Sequence, residues 1–275
     1  MQWKGEEHDV KKWGALVAAG ALAAALTLFG CSSGGENSDS SSGSASDAGY
    51  TLINDGKLTV AASLDFPPFE NLNGDVPEGF AVDLMNALAA ELDLECEYLP
   101  STKFDTIIPL IQTGGKADVG VSSFTVNDER LEQVDFTDTY CDVNQSITVL
   151  KDSGVTEVSQ LEGKKIGAQS GTTGYEWASE NVKDAQVVAF DEMTAVFAAL
   201  QSGQIDAVAV DQPVANYYVK NAYTDCEVIV TIPTGEQYAM AVSKDNPELT
   251  AALNRALQAV RDNGTYADLE AKWLQ

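Results

Sequence analysis

DVGVSSFTVNDERLEQVDFTDTY, residues 118–140, is the stretch on which the reading of this chain turns. It opens as a short apolar strand, passes through Ser122, Ser123 and Thr125, and then reaches Arg130. Small hydroxyl residues at a strand end let a ligand approach the backbone, and Arg130 is close enough in sequence to swing back over that spot. Its planar guanidinium offers paired donors that match a carboxylate. A surface pairing of Arg130 with Asp128 or Glu129 is the plainer alternative. The rest of the chain decides between the two.

The chain has 275 residues, with 16 basic and 42 acidic side chains and a net charge of −26. Such a surface repels nucleic acid and anionic lipid. The first 30 residues read as a signal peptide. Lys4, Lys11 and Lys12 precede an apolar run, Trp13 to Gly30, too short and alanine-rich for a good permanent span. Leu28-Phe29-Gly30 before Cys31 resembles a lipobox, so cleavage and lipidation at Cys31 are expected, although Phe29 and the acids Glu6, Glu7 and Asp9 depart from the usual pattern. Residues 31–49 are Ser- and Gly-rich and read as a flexible tether spanning roughly 20–25 Å. The lone histidine, His8, falls in the leader, so a processed chain has none for Ser-His-Asp catalysis or for most zinc sites. Cys96, Cys141 and Cys226 fit no metal spacing, and no cofactor is implied.

From residue 57 onward, short apolar strands alternate with amphipathic helices. Strands are predicted at 57–62, 94–99, 117–121, 145–150, 164–168, 186–190, 206–210, 227–231 and 238–243, several of them continuously apolar as strands buried on both faces are. The helix at 80–92 buries Leu84, Met85, Leu88 and Leu92; that at 247–262 buries Leu249, Leu253, Leu257 and Val260, and Gly264 ends it. The alternation predicts an α/β protein with mainly parallel sheets.

Four segments carry a family resemblance: FPPFENLNGDVPEGFAVDL (66–84), the stretch 118–140, KKIGAQSGTTGYEW (164–177), and IDAVAVDQP (205–213) with NGTYADLEAKW (263–273). In this order they resemble the extracellular solute-binding proteins that feed polar amino acids to ABC transporters, in their lipoprotein form. The resemblance implies a periplasmic-binding-protein-like α/β fold of two α/β lobes joined by a two-strand hinge. Lobe 1 would take residues 50–143 and 236–275, and lobe 2 residues 144–235. It implies a monomer, lipid-anchored on the outer face of the membrane, that passes a free amino acid to a permease.

The same resemblance assigns the site. Phe66, in a proline-stiffened loop, and Phe104 would flank the ligand side chain. Arg130 would take the carboxylate with the backbone N–H groups of Thr125 and Thr172, the latter where a helix should begin. The ammonium would meet the Ser123 carbonyl, the Thr125 hydroxyl and Asp211. Helix capping competes as the role of both Thr172 and Asp211. Glu70 is expected to reach a polar or cationic ligand side chain, or else to be a solvated loop acid. Gln169 and Gln212 are further pocket candidates. Ser63 stands where binders of basic or amide side chains often carry an aspartate, and Ala89 removes the first cysteine of the family's frequent lobe 1 disulfide, leaving Cys96 alone. Two other functions compete: a dehydratase of prephenate-like acids, which would need Glu70, Asp65 or Asp211 as acid or base, and a sensory ligand-binding module.

Overall fold

The computed structural model describes residues 49–275. The expected leader 1–30, the lipidation at Cys31 and all but the last residue of the 31–49 tether lie outside the described residues.

Strands and helices alternate as β1 (Lys57–Ala61), β2 (Asp65–Phe66), β3 (Glu70–Asn73), β4 (Val76–Glu78), α1 (Phe80–Glu91), β5 (Glu95–Tyr98), α2 (Phe104–Thr113), β6 (Val119–Thr125), α3 (Asp128–Gln133), β7 (Asp135–Phe136) and β8 (Cys141–Leu150). They continue with β9 (Lys165–Gln169), α4 (Thr173–Asn181), β10 (Gln186–Phe190), α5 (Met193–Gln201), β11 (Ala207–Asp211), α6 (Gln212–Asn221), β12 (Cys226–Val242), α7 (Pro247–Asp262) and α8 (Thr265–Trp273).

Among the described residues the main sheet runs β10-β9-β11-β8-β12-β6-β1-β5, with β7 also paired to β12. Its two wings are parallel: β6 and β5 flank β1, and β11 and β10 flank β9. Its middle is antiparallel, because β8 and β12 pair with each other and each joins one wing. The expectation of mainly parallel sheets therefore holds for the wings and fails at the centre. The segments predicted as separate strands 227–231 and 238–243 are one strand of 17 residues. Polar Thr234-Gly235-Glu236-Gln237 looks like a loop in sequence, yet the ladder with β8 spans it through a register shift between Ile232 and Glu236.

A second small sheet, β2-β3-β4, was not predicted; its strands are two to four residues long, too short for a period-two pattern to register. It hangs on α1. Phe80 N–H donates to Pro68 O and Ala81 N–H to Phe69 O, at 2.9 and 3.0 Å. Gly79 makes this possible: its φ is +131°, and a Cβ there would lie 2.2 Å from Phe69 O.

Helices cover the wings through apolar faces. α1 and α7 pack together with Leu84, Leu88, Leu249, Leu253 and Leu257 wholly or almost wholly buried. α2 seals the other face of β6 with Ile107 and Ile111 against Phe124. A third cluster, including Ile147, Ile166, Ala207 and Ala178, joins β8, β9, β11 and α4. Cys96, Cys141 and Cys226 are all free thiols.

Gly79→Ala combines strain with backbone overlap and should cost about 2 kcal/mol or more, read as a fall in the thermal unfolding midpoint.

Candidate functional site

The two wings meet across a narrow cavity whose wall includes Phe66, Phe104, Ser122, Ser123, Thr125 and Arg130 from one side. Gln169, Thr172, Thr173 and Asp211 line it from the other. The elements explain the arrangement. β6 ends in Ser122-Ser123-Phe124-Thr125, all buried. Asn127 then caps α3, accepting from Arg130 N–H at 2.9 Å, and the short helix turns the arginine back over the strand end.

Arg130 is 7% exposed. It donates from Nη1 to Thr125 O at 2.7 Å and from Nη2 to Gly171 O, on the opposite wing, at 2.9 Å. Its guanidinium carbon lies 5.4 Å from the Phe104 ring centre and 5.8 Å from that of Phe124, and those two rings stack at 5.0 Å. Among the described residues no carboxylate forms an ion pair with it, so the surface pairing with Asp128 or Glu129 is overturned. Burial pulls its pKa down from the ordinary value.

Asp211 sits at the end of β11 and at the N-cap position of α6, yet its side chain makes no capping bond. Gln145 Nε2 donates to it instead, at 3.1 Å. Burial, and then the nearby Glu236 charge, raise its pKa to about 7. Thr172 caps α4: its hydroxyl accepts from Tyr175 N–H at 3.3 Å and donates to Gln169 O at 2.8 Å. Its own N–H already donates to Gln169 O at 3.4 Å. The donors at this helix start that lack an intrahelical acceptor therefore begin at Thr173.

Two expectations need correction. Glu70 is neither a solvated acid nor part of the cavity wall: it is fully buried behind Ser123, whose hydroxyl lies 2.9 and 3.0 Å from its carboxylate oxygens. Gln212 is half-buried in the first turn of α6 and does not line the cavity. Gln169 does, while its amide N–H₂ is held by Asp191 O at 3.1 Å.

Sequence reading missed Glu236, Gln145 and Thr173. Glu236 Oε2 accepts from Thr125 Oγ1 at 2.8 Å, Thr173 Oγ1 at 2.7 Å and Gln145 Nε2 at 3.2 Å, tying both wings to the middle of β12. The Thr125 hydroxyl proton is thus committed, which leaves its oxygen lone pairs to accept from a ligand. The polar start of the otherwise apolar QSITVL was the one available signal for Gln145.

Further contacts cross between the wings outside the cavity wall. Lys103 pairs with Asp191, and Ser170 Oγ donates to Asp105 at 3.0 Å. Asp65 Oδ2 accepts from Met193 N–H at the first turn of α5 at 2.6 Å, and the Tyr218 hydroxyl donates to Asp65 O at 2.9 Å.

With this geometry in hand, relatives can be compared. Residues 58–275 match the family model for bacterial extracellular solute-binding proteins, family 3. The chain belongs to that family. A protein named as a probable histidine-binding protein of Neisseria gonorrhoeae is 33% identical over 273 residues, covering 96% of each chain. A solved structure described as an ancestral arginine-binding protein bound to arginine superposes with a TM-score of 0.76 at 36% identity, over 82% of this chain and 100% of that one. Another, described as an ancestral arginine-binding protein bound to glutamine, gives 0.73 at 37% identity, over 79% and 97%. All three are named as binding proteins rather than enzymes, and the fold is the periplasmic-binding-protein-like α/β fold of these family members.

Asp65→Ala removes the carboxylate cap from α5 and should cost about 1 kcal/mol, seen as a lower midpoint in urea with an unchanged slope.

Proposed function

We propose that this protein captures a free amino acid outside the cytoplasmic membrane and delivers it, without turnover, to an ABC transporter permease. The observation that carries this reading is a buried guanidinium with no ion-pair partner among the described residues on one wall of a cavity and a buried carboxylate, Asp211, on the other. A zwitterion enters a desolvated site only if each of its charges finds a partner. Arg130 and the start of α4 take the carboxylate. Asp211, the Ser123 carbonyl and the Thr125 oxygen take the ammonium. Phe66 and Phe104 enclose the side chain, and Gln169 lies at the far wall. The names of the relatives favour a side chain rich in hydrogen-bond donors, such as that of arginine, histidine or glutamine.

Lobe 1 is residues 50–143 with 236–275, lobe 2 is 144–235, and β8 and β12 form the hinge. Closing brings Asp211 and α4 to a ligand already seated on lobe 1, so the ligand stabilises the shut form through contacts missing from the open one. Cleavage before Cys31 and lipidation of that residue anchor the monomer, and residues 31–49 tether the receptor at the outer face.

A thermal-shift screen of residues 49–275 against the common amino acids and cystine tests the reading directly. A ligand raises the unfolding midpoint progressively with concentration, and no shift from any of them refutes it. Arg130→Ala should weaken the ligand so identified by about 100-fold or more in calorimetry, with a cooperative melt retained; unchanged binding removes Arg130 from the site.

Acidity should act through Asp211. Its carboxylate, raised to about 7 by burial and by Glu236, must be ionised to hold an ammonium. Below that value binding has to release a proton, so affinity should fall by up to about tenfold per pH unit. Above it the profile should flatten. Calorimetry in buffers of differing ionisation enthalpy should show the proton release near neutrality. The sign for stability is the reverse: a raised carboxylate pKa means the folded state holds the proton longer, so the ligand-free protein loses this contribution as pH climbs through the same range.

A further inference from the structure

Glu70 is fully buried and off the cavity wall, yet its carboxylate brackets the hydroxyl of Ser123, a wall residue, at 2.9 and 3.0 Å. Ser123 has φ +48°, a left-handed conformation that is unfavourable for a residue with a Cβ. The ladder between β6 and β12 breaks at the same place. Phe124 pairs with Ala239 and Gly120 with Ala241, so Val121, Ser122 and Ser123 face Met240 alone. Met240 has no N–H to offer their carbonyls, since that N–H already donates to the Thr137 hydroxyl at 3.0 Å. The Ser122 and Ser123 carbonyls are therefore left out of the β12 ladder, which is how a bulge frees backbone groups for a ligand.

Something must hold that bulge in one shape, and Glu70 is fixed well enough to do so. Its backbone pairs with Phe66 across β2 and β3. The preceding carbonyl, Phe69 O, is pinned by Ala81 N–H, and the Phe69 ring packs edge-on against Phe80 and Tyr238 at 6.1 and 5.2 Å. We propose that Glu70 is a positioning residue for the ligand ammonium, clamping Ser123 in its left-handed conformation so that the Ser123 carbonyl faces the cavity. This rests on the amino-acid reading of the site and extends it to a residue that touches no ligand. Burial raises the Glu70 pKa to about 8, against the opposing pull of hydrogen bonds from the Ser123 hydroxyl and N–H; Asp65 and Asp211 add like charge. At neutral pH Glu70 is thus mostly uncharged, and serves as a strut rather than as a counter-ion competing with Asp211.

The test uses Glu70→Gln, which keeps the shape and one acceptor, and Glu70→Leu, which keeps only bulk. Each is compared with the parent, with melts to confirm folding. The probes are L-arginine and L-glutamine beside their des-amino counterparts, 5-guanidinopentanoate and 5-amino-5-oxopentanoate, with weak binding followed by ligand-observed NMR at millimolar concentration. Affinity for the amino acids should fall about fivefold in the Gln variant and about 10- to 100-fold in the Leu variant. The des-amino compounds, lacking the group that Ser123 receives, should change by less than about twofold. Equal losses for both kinds of probe, or no loss for either, overturn the positioning role while the parent's binding leaves the site reading intact. A parent that binds neither of these nor any other amino acid refutes the reading, and this proposal with it.

Discussion

The site turns on a guanidinium buried against two aromatic rings and hydrogen-bonded to carbonyl oxygens rather than to carboxylates. Arg130 is buried by Phe104 and Phe124 and anchored to Thr125 O and Gly171 O, which are dipoles rather than charges. Desolvating a cation that completely is costly, and the carboxylates of Glu176, Asp211, Glu236 and Glu129 offset the cost only from a distance, without a direct ion pair. Much of the surrounding architecture holds the guanidinium in that position. Asn127 caps the helix that carries the arginine, the β6 bulge opens the floor beneath it, and the start of α4 brings further donors from the facing wing.

The acids follow the same logic from the other side. Burial raises the pKa of both Asp211 and Glu70; the Glu236 charge adds to it at Asp211, and Asp65 and Asp211 add to it at Glu70. Donors manage this concentration of negative charge: Gln145 bridges Asp211 and Glu236, Thr125 and Thr173 turn their protons toward Glu236, and Ser123 turns its own toward Glu70. On the proposed function, a ligand ammonium would relieve the repulsion further, coupling binding and proton balance through the same few atoms.

Much of this was legible in the sequence because it rests on local rules. Apolar strands, helical spacing in α1 and α7, and hydroxyl residues at strand and helix ends follow from periodicity and capping. Arg130, Asp211, Phe66 and Phe104 came from motif resemblance, and the fold brings all four to one cavity. What sequence could not give was pairing over long range. Glu236 reads as a loop acid until β12 is seen to run unbroken past Gly235, and Glu70 reads as a ligand contact or a solvated acid until Gly79 lets β3 fold against α1. Thr173 was passed over in favour of Thr172 because a cap and the first helical residue cannot be told apart without the hydrogen bonds.

Asp65 and Tyr218 join the wings through atoms that face no cargo. Their grip is the same whether the receptor is laden or empty, so a fraction of vacant molecules should rest shut. A transporter recognising only the shut outline would then engage unloaded copies as readily as loaded ones. On the proposed function, productive transport would depend on how long a copy stays shut, a lifetime that the cargo would lengthen and these two side chains alone would not.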